Sequence, residues 1–217
     1  MKHVSPPRRW ASAALVAGLV VTLAGAPASA HGGGLEYLHV GMGPYLESRM
    51  HEVADPNSVL LALEWTPTVD GRVLGARICL DLTQQEVNRR LPLYTYLWKA
   101  DGTRLARGRA AEGIVNSAPC FYTVSFAEVP VQAGERYVVG FWLRAGQYSF
   151  VWHGLDQQVS NLATGHLIGV ASYSASAGTG NGLYAYTANG SDAPFPTESW
   201  ENVDYLVSPE FIPNGHP

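Results

Sequence analysis

The sequence predicts an all-β domain, an antiparallel two-sheet β-sandwich of jelly-roll or immunoglobulin-like type with about ten short strands. Three observations carry that expectation. Apolar residues recur with a period of two, as where Val59, Leu61, Leu63 and Trp65 alternate with Ser58, Ala62 and Glu64 to give a half-buried strand. Turn signals punctuate the chain at short intervals, among them Asp70-Gly71, Asp101-Gly102 and Ala133-Gly134. Helical periodicity is nearly absent: one window, Thr83 to Arg90, is polar, short and bounded by Pro92, and reads as a connecting turn. Parallel α/β folds need a helix between successive strands and are disfavoured.

Taken in order, residues 1–30 have the form of a secretory signal peptide. Lys2, Arg8 and Arg9 precede an apolar run from Ala11 to Gly25, and Ala28 and Ala30 form an A-x-A cleavage site. That run is too short for the roughly 20 residues that span a bilayer, and no later stretch reaches that length, so no membrane insertion is expected after cleavage. Arg8-Arg9 also invites a twin-arginine reading, against which Pro7 and Trp10 flank the pair. Residues 31–55 form a Gly-rich N-terminal arm, interrupted by Gly32, Gly33, Gly34, Gly41, Gly43 and Pro44. Residues 56–213 form the sandwich. After the strand ended by Pro67, further strands are expected at 72–81, 93–99, 104–110, 120–127, 136–144, 147–152, 167–173, 182–188 and 203–211. Between the last three, residues 172–182 read as a small-residue loop with little to bury.

Composition excludes several classes. Of 217 residues, 47% are hydrophobic and 15% charged, too apolar for a disordered chain and too poor in charge for a coiled coil. The net charge of −4, which becomes −7 once Lys2, Arg8 and Arg9 are cleaved away, argues against a nucleic-acid partner. Cys79 and Cys120 are the only cysteines. In an exported chain an isolated pair predicts a disulfide, with free buried thiols as the alternative, because strand alternation does not bring the two side chains together. The pattern leaves the oligomeric state open.

Five segments carry a family resemblance: Leu97-Trp98-Lys99-Ala100-Asp101-Gly102-Thr103-Arg104-Leu105-Ala106, Val131 to Val139, Gly146-Gln147-Tyr148-Ser149-Phe150, Gly180 to Tyr186 with Phe195-Pro196, and Asn202 to Val207. In that order they resemble the bacterial family called Domain of Unknown Function 4082, over about residues 52–212. The resemblance implies a β-sandwich module of secreted and surface proteins, often found beside immunoglobulin-like or carbohydrate-active domains. It carries over no catalytic residue. This chain departs from the pattern in having the module nearly alone, with two cysteines and the Gly-rich arm.

Candidate ligand-binding residues are aromatic. On the strand 93–99, Tyr94, Tyr96 and Trp98 share one face and Leu93, Thr95 and Leu97 the other. With Leu93 and Leu97 inward, the aromatics form an outward platform suited to stacking on sugar rings; core packing is the alternative. Trp142, flanked on its face by Arg136 and Arg144, suits an exposed or rim position. The segments Trp152-His153-Gly154-Leu155-Asp156 and Phe195 to Glu201, which includes Trp200, are expected in loops at a sandwich end, where such folds place their sites. There, Trp200 and Phe195 serve alternatively as caps on the core.

Metal chemistry is a sharper alternative. Cleavage after Ala30 makes His31 the first residue, and an N-terminal His chelates copper through its amine and ring; the start is similar to that of lytic polysaccharide monooxygenases. A second ligand would come from His39, His51, His153 or His166. No G-x-S-x-G, H-E-x-x-H, P-loop or D-x-D-x-D pattern is present, so no catalytic residue and no cofactor other than that copper is expected. The reading is a secreted, non-catalytic binding module for a carbohydrate or envelope polymer. Its alternatives are a structural or protein-contact module and a copper histidine-brace oxidoreductase.

Overall fold

Alternation, turns and β-branched residues produce an antiparallel β architecture in the computed structural model, which describes residues 34–39, 50–111, 114, 116–118, 120–161, 163–176 and 180–215. The expected signal peptide and His31 lie outside these residues. The strands are β1 (Met50–Ala54), β2 (Val59–Pro67), β3 (Gly71–Cys79), β4 (Leu93–Lys99), β5 (Arg104–Ala110), β6 (Asn116–Ala118), β7 (Phe121–Val131), β8 (Tyr137–Leu143), β9 (Gln147–Val151), β10 (Val159–Ser160), β11 (Leu167–Gly169), β12 (Leu183–Tyr186), β13 (Glu198–Ser199) and β14 (Val207–Pro213). The larger sheet runs β10-β11-β2-β8-β4-β5, with β12 also on β2 and β13 on β12; the smaller runs β14-β3-β7-β6; β1 and β9 form a separate pair. Among the described residues no helix is long and apolar enough to cross a membrane.

The two main sheets pack as a sandwich. Leu61, Leu63 and Trp65 of β2, Leu97 of β4, and Val139 and Phe141 of β8 meet Val73 and Ile78 of β3, Tyr122 and Val124 of β7, and Phe211 of β14 in one buried core. Leu93 and Leu97 point into this core, which settles which of the two β4 faces left open by alternation is the inner one.

Three elements differ from the sequence expectation. Thr83 to Arg90 is not a turn but a six-residue helix, α1 (Gln84–Arg89), closed by a capping box. The Glu86 carboxylate accepts from the Thr83 backbone N–H at 2.9 Å and from its hydroxyl at 2.7 Å. Part of the expected arm is ordered: residues 50–54 pair with β9, and Glu36 makes an antiparallel bridge to Phe211. The strand expected at 167–173 stops at Gly169 and gives way to a 3-10 turn, Ser172–Ser174.

The larger correction concerns the outer face of the big sheet. Period two assigns Ala62 and Glu64 to solvent, yet both are buried. Leu60, Ala62, Tyr96, Trp98, Val138 and Trp142 form a second apolar cluster, covered by Leu183 and Ala193 with Phe195 packed against it. Glu64 is 1% exposed. Its carboxylate accepts from Arg136 Nη1 at 2.9 Å, from the Ser176 N–H at 2.9 Å and from the Ser176 hydroxyl at 3.0 Å. A buried carboxylate is tolerable only when paired and hydrogen-bonded in this way.

Asn181 completes the second layer. β11 pairs with Trp65–Pro67 and β12 with Val59–Ala62, which leaves Leu63 and Glu64 without a strand neighbour on that edge of β2, while β8 pairs with them on the other. The Asn181 amide stands in: its Oδ1 accepts from the Glu64 N–H at 2.7 Å, and its Nδ2 donates to the Glu64 and Val170 carbonyls at 2.8 and 2.7 Å. The small-residue loop therefore anchors a fully buried residue. Asn181→Ala leaves the Glu64 N–H and the Val170 carbonyl without this partner, the Glu64 carbonyl keeping its bond from the Val170 N–H at 3.0 Å, and is expected to cost about 3 kcal/mol, read as a lower urea midpoint with an unchanged m-value.

Cys79 and Cys120 form a disulfide with Cα atoms 4.7 Å apart. Alternation along β7 misses it because Cys120 precedes the strand and adopts a left-handed backbone, φ 63°, which redirects its side chain. The bond closes a separation of 41 residues. Replacing both cysteines by Ser is expected to lower stability by about 4 kcal/mol on the chain-entropy model, and a reductant titration followed by thermal melting measures the same loss.

Candidate functional site

The alternation of β4 puts Tyr94, Tyr96 and Trp98 on the outer face, but the outward platform does not exist there. Trp98 is 1% exposed and Trp142, expected at a rim, is 2% exposed. Residues 187–195 lie across them. Trp142 Nε1 donates to the Thr187 carbonyl at 2.8 Å, the Tyr96 hydroxyl donates to the Gly190 carbonyl, and the Ala193 N–H donates back to that hydroxyl at 3.3 Å. Tyr96 stacks on Trp98 with centroids 4.9 Å apart, and Phe195 closes over Trp98 edge-on at 5.9 Å. Gly190 fits because a Cβ there would meet the Trp142 ring at 2.2 Å. These aromatics bind each other and the chain's own cover.

Trp152 and Trp200 behave differently. Along β9 the period of two places Tyr148, Phe150 and, one residue beyond the strand, Trp152 on one side. The chain then reverses at His153, φ 52°; a second reversal at Glu201 and Asn202, φ 49° and 52°, follows Trp200. Left-handed backbone is costly for non-glycine residues and persists where surrounding bonds enforce it. Here the Leu155 N–H donates to the Asn202 carbonyl at 3.0 Å and Asn202 Nδ2 donates to Asp156 at 2.8 Å, which ties the two reversals together. The two indoles meet edge to face at 4.6 Å. Phe150 lies 5.1 Å from Trp152 and 5.6 Å from Trp200, and His51, opposite Phe150 on β1, sits 6.3 Å from Trp152. Both tryptophans remain half-buried.

Behind Phe150 lie further tyrosines, of which Tyr148 and Tyr205 are buried in the main core. Tyr148 contacts Phe150 at 6.3 Å and Tyr205 at 5.7 Å, and Tyr184 contacts Tyr186 at 5.7 Å. Tyr186 is 54% exposed, and its hydroxyl donates to Asp55 at 2.6 Å. The sequence reading names His51 only as a possible copper ligand and Tyr148, Tyr184 and Tyr186 only within the segments of family resemblance, none of them as a stacking residue. Their signal was the alternation Tyr184-Ala185-Tyr186 together with Tyr148-Ser149-Phe150, but the partnership of β9 with β1 and of β12 with β2 is a long-range pairing that no local pattern states.

Among the described residues His39, His153 and His166 each lie against a different carboxylate. His39 Nε2 lies 3.3 Å from Asp204, His153 Nδ1 3.4 Å from Asp156 and His166 Nδ1 3.0 Å from Glu36. Among the described residues no group of three or more His, Cys, Asp and Glu is placed to hold a metal. The proposed brace rests on His31, outside the described residues.

Phenol ionisation reports on the ridge. Burial, with the nearby Asp55 carboxylate, pushes the Tyr148 hydroxyl up to about 12, and burial raises Tyr184, Tyr186 and Tyr205 as well. Unfolded phenols ionise near pH 10, so above that pH the unfolded chain releases protons that the folded chain retains. Stability is therefore expected to be full below about pH 10 and to fall as pH rises from about 10 to 12. Urea midpoints across that window check this, and Tyr148→Phe flattens the fall.

The comparison with curated proteins gives no match. The model of the family described as Domain of unknown function (DUF4082) matches residues 47–207, a span that takes in Trp98, Trp142, Trp152 and Trp200. With most of its length matched, the chain belongs to that family.

Proposed function

We propose that this chain is an exported, non-catalytic binding module that holds a glycan or other envelope polymer on the ridge formed by Trp152, Trp200, His51, Tyr184 and Tyr186. The observation that carries the reading is the half-buried Trp152–Trp200 pair, locked by the two left-handed reversals. Aromatic rings present flat apolar faces that match the C–H faces of sugar rings, while hydroxyl and ring N–H groups bond their edges. Side chains already held by packing lose little further freedom on binding, which favours affinity. Export is supported by the signal-like residues 1–30 and by the disulfide, a bond that persists in oxidising compartments. In this reading residues 1–30 are removed, 31–55 form the arm and 56–213 the binding domain. No nucleic-acid role or membrane insertion is proposed.

A structural or protein-contact module is the second reading. It is favoured by the burial of Tyr96 and Trp98, which commits the largest aromatic face to packing.

Retention of the chain beginning at His31 on cellulose, chitin and peptidoglycan separates the two. Trp152→Ala and Trp200→Ala are expected to reduce retention on at least one polymer about tenfold or more, with far-UV circular dichroism unchanged. Trp98→Ala is expected to lower the melting temperature instead. No retention on any polymer, or folded Trp152 and Trp200 variants retained like the parent, leaves the structural reading.

A further inference from the structure

We propose that the cleft between α1 and the β8–β9 turn is a subsite for an oxyanion, the carboxylate or phosphate group of an acidic polymer. The cleft measures about 310 Å³ and is lined by Glu86, Arg89, Arg90, Arg144 and Ala145. Three guanidinium groups gather there in a chain that carries 18 acidic against 14 basic residues. Planar guanidinium forks match carboxylate and phosphate oxygens two at a time.

Outside the cleft most of the described arginines have partners, Arg109 excepted. Elsewhere on the surface Arg72 pairs with Glu128, Arg104 with Asp192 and Arg136 with Glu64. Among the described residues Arg89 and Arg144 have no hydrogen bond or ion pair. Arg90 is held in place: its Nη1 donates to the Glu86 carbonyl and its Nη2 to Gln147 Oε1, each at 2.9 Å, and its buried Nε has no partner. The cleft's own carboxylate, Glu86, is held below the usual carboxylate range mainly by its bonds to Thr83 and in part by Arg90 and Arg89, but it hydrogen-bonds to none of the three guanidinium groups and so offsets them only partly. Like charges gathered in one place repel, and a bound anion removes that repulsion.

The turn that carries Arg144 is built. Ala145 takes a left-handed backbone, φ 49°, with its N–H donating to the Ser58 hydroxyl at 3.3 Å, and the Gly146 N–H donates to the Asn57 carbonyl at 2.9 Å. Gln147, gripped by Arg90, opens β9, and Trp152 lies five residues on, about 17 Å along an extended strand. That one polymer spans both places rests on the ridge reading; the anion subsite itself does not.

The test is equilibrium binding of the exported chain to polygalacturonate, to its neutral methyl ester and to inorganic phosphate, at low and high salt. The expected result is binding of an anionic probe that weakens with salt, with the methyl ester at least about tenfold weaker than polygalacturonate. Polygalacturonate above phosphate assigns a carboxylate source and the reverse a phosphate source. The double variant Arg89→Gln, Arg144→Gln, changed only at exposed positions, loses about tenfold or more, whereas Arg72→Gln does not. Binding of neither anion, equal affinity for the ester, or a double variant equal to the parent overturns the subsite. Trp152→Ala reads out separately: if it keeps neutral-polymer retention, the ridge reading fails while the anion result stands.

Discussion

Burial of the large sheet on both faces is the constraint from which the rest of this structure follows. Along β2, Leu61, Leu63 and Trp65 enter the sandwich core while Leu60 and Ala62 enter the outer cluster. Neither face of the strand is left to water. Each fully buried large apolar side chain contributes about 1.5–3 kcal/mol, so the outer cluster of Tyr96, Trp98, Val138 and Trp142 exerts a pull comparable to part of the main core. A cover is required, and residues 183–195 supply it. That demand explains the polar devices found beneath the cover: the Arg136–Glu64 pair, the Asn181 amide in the gap between β11 and β12, and Gly190 against the Trp142 ring.

The same constraint divides the aromatic residues into two populations. Those on the inside of the cover have spent their faces and hydroxyls on it, as the bond from Trp142 to Thr187 shows. Tyr148 and Phe150 on β9 belong to the main core, while Trp152, Trp200 and Tyr184 pack against it and stay only half-buried and Tyr186 is exposed. Packing holds these rings while part of each remains accessible. That combination is the physical basis of the functional proposal.

Much of the fold was legible because the main sandwich obeys local rules. Alternation separates Leu93 and Leu97 from Tyr94, Tyr96 and Trp98, although it does not say which set faces the core, and the disulfide follows from the isolation of two cysteines in a chain whose residues 1–30 read as a secretory signal. The outer layer was not legible. Glu64 reads as a solvent residue until its partners are known, and those lie 72 and 112 residues away at Arg136 and Ser176. The one helical window, Thr83 to Arg90, reads as a turn rather than as α1 because six residues are too few for apolar periodicity to show, although the Thr83–Glu86 capping pair is present in the sequence. At the site, residue type singled out Trp152 and Trp200, but only long-range pairing brings them to 4.6 Å and adds His51, Tyr184 and Tyr186.

The division of the aromatics is the claim on which everything functional rests, and indole oxidation measures it directly. N-bromosuccinimide added in small steps to the native chain, with each tryptophan followed by peptide mass spectrometry, orders the indoles by access. Trp152 and Trp200 should oxidise first, with Trp65, Trp98 and Trp142 protected until the chain unfolds. Oxidation of Trp98 or Trp142 as early as Trp152 would mean that residues 187–195 do not cover the sheet, and would contradict the account.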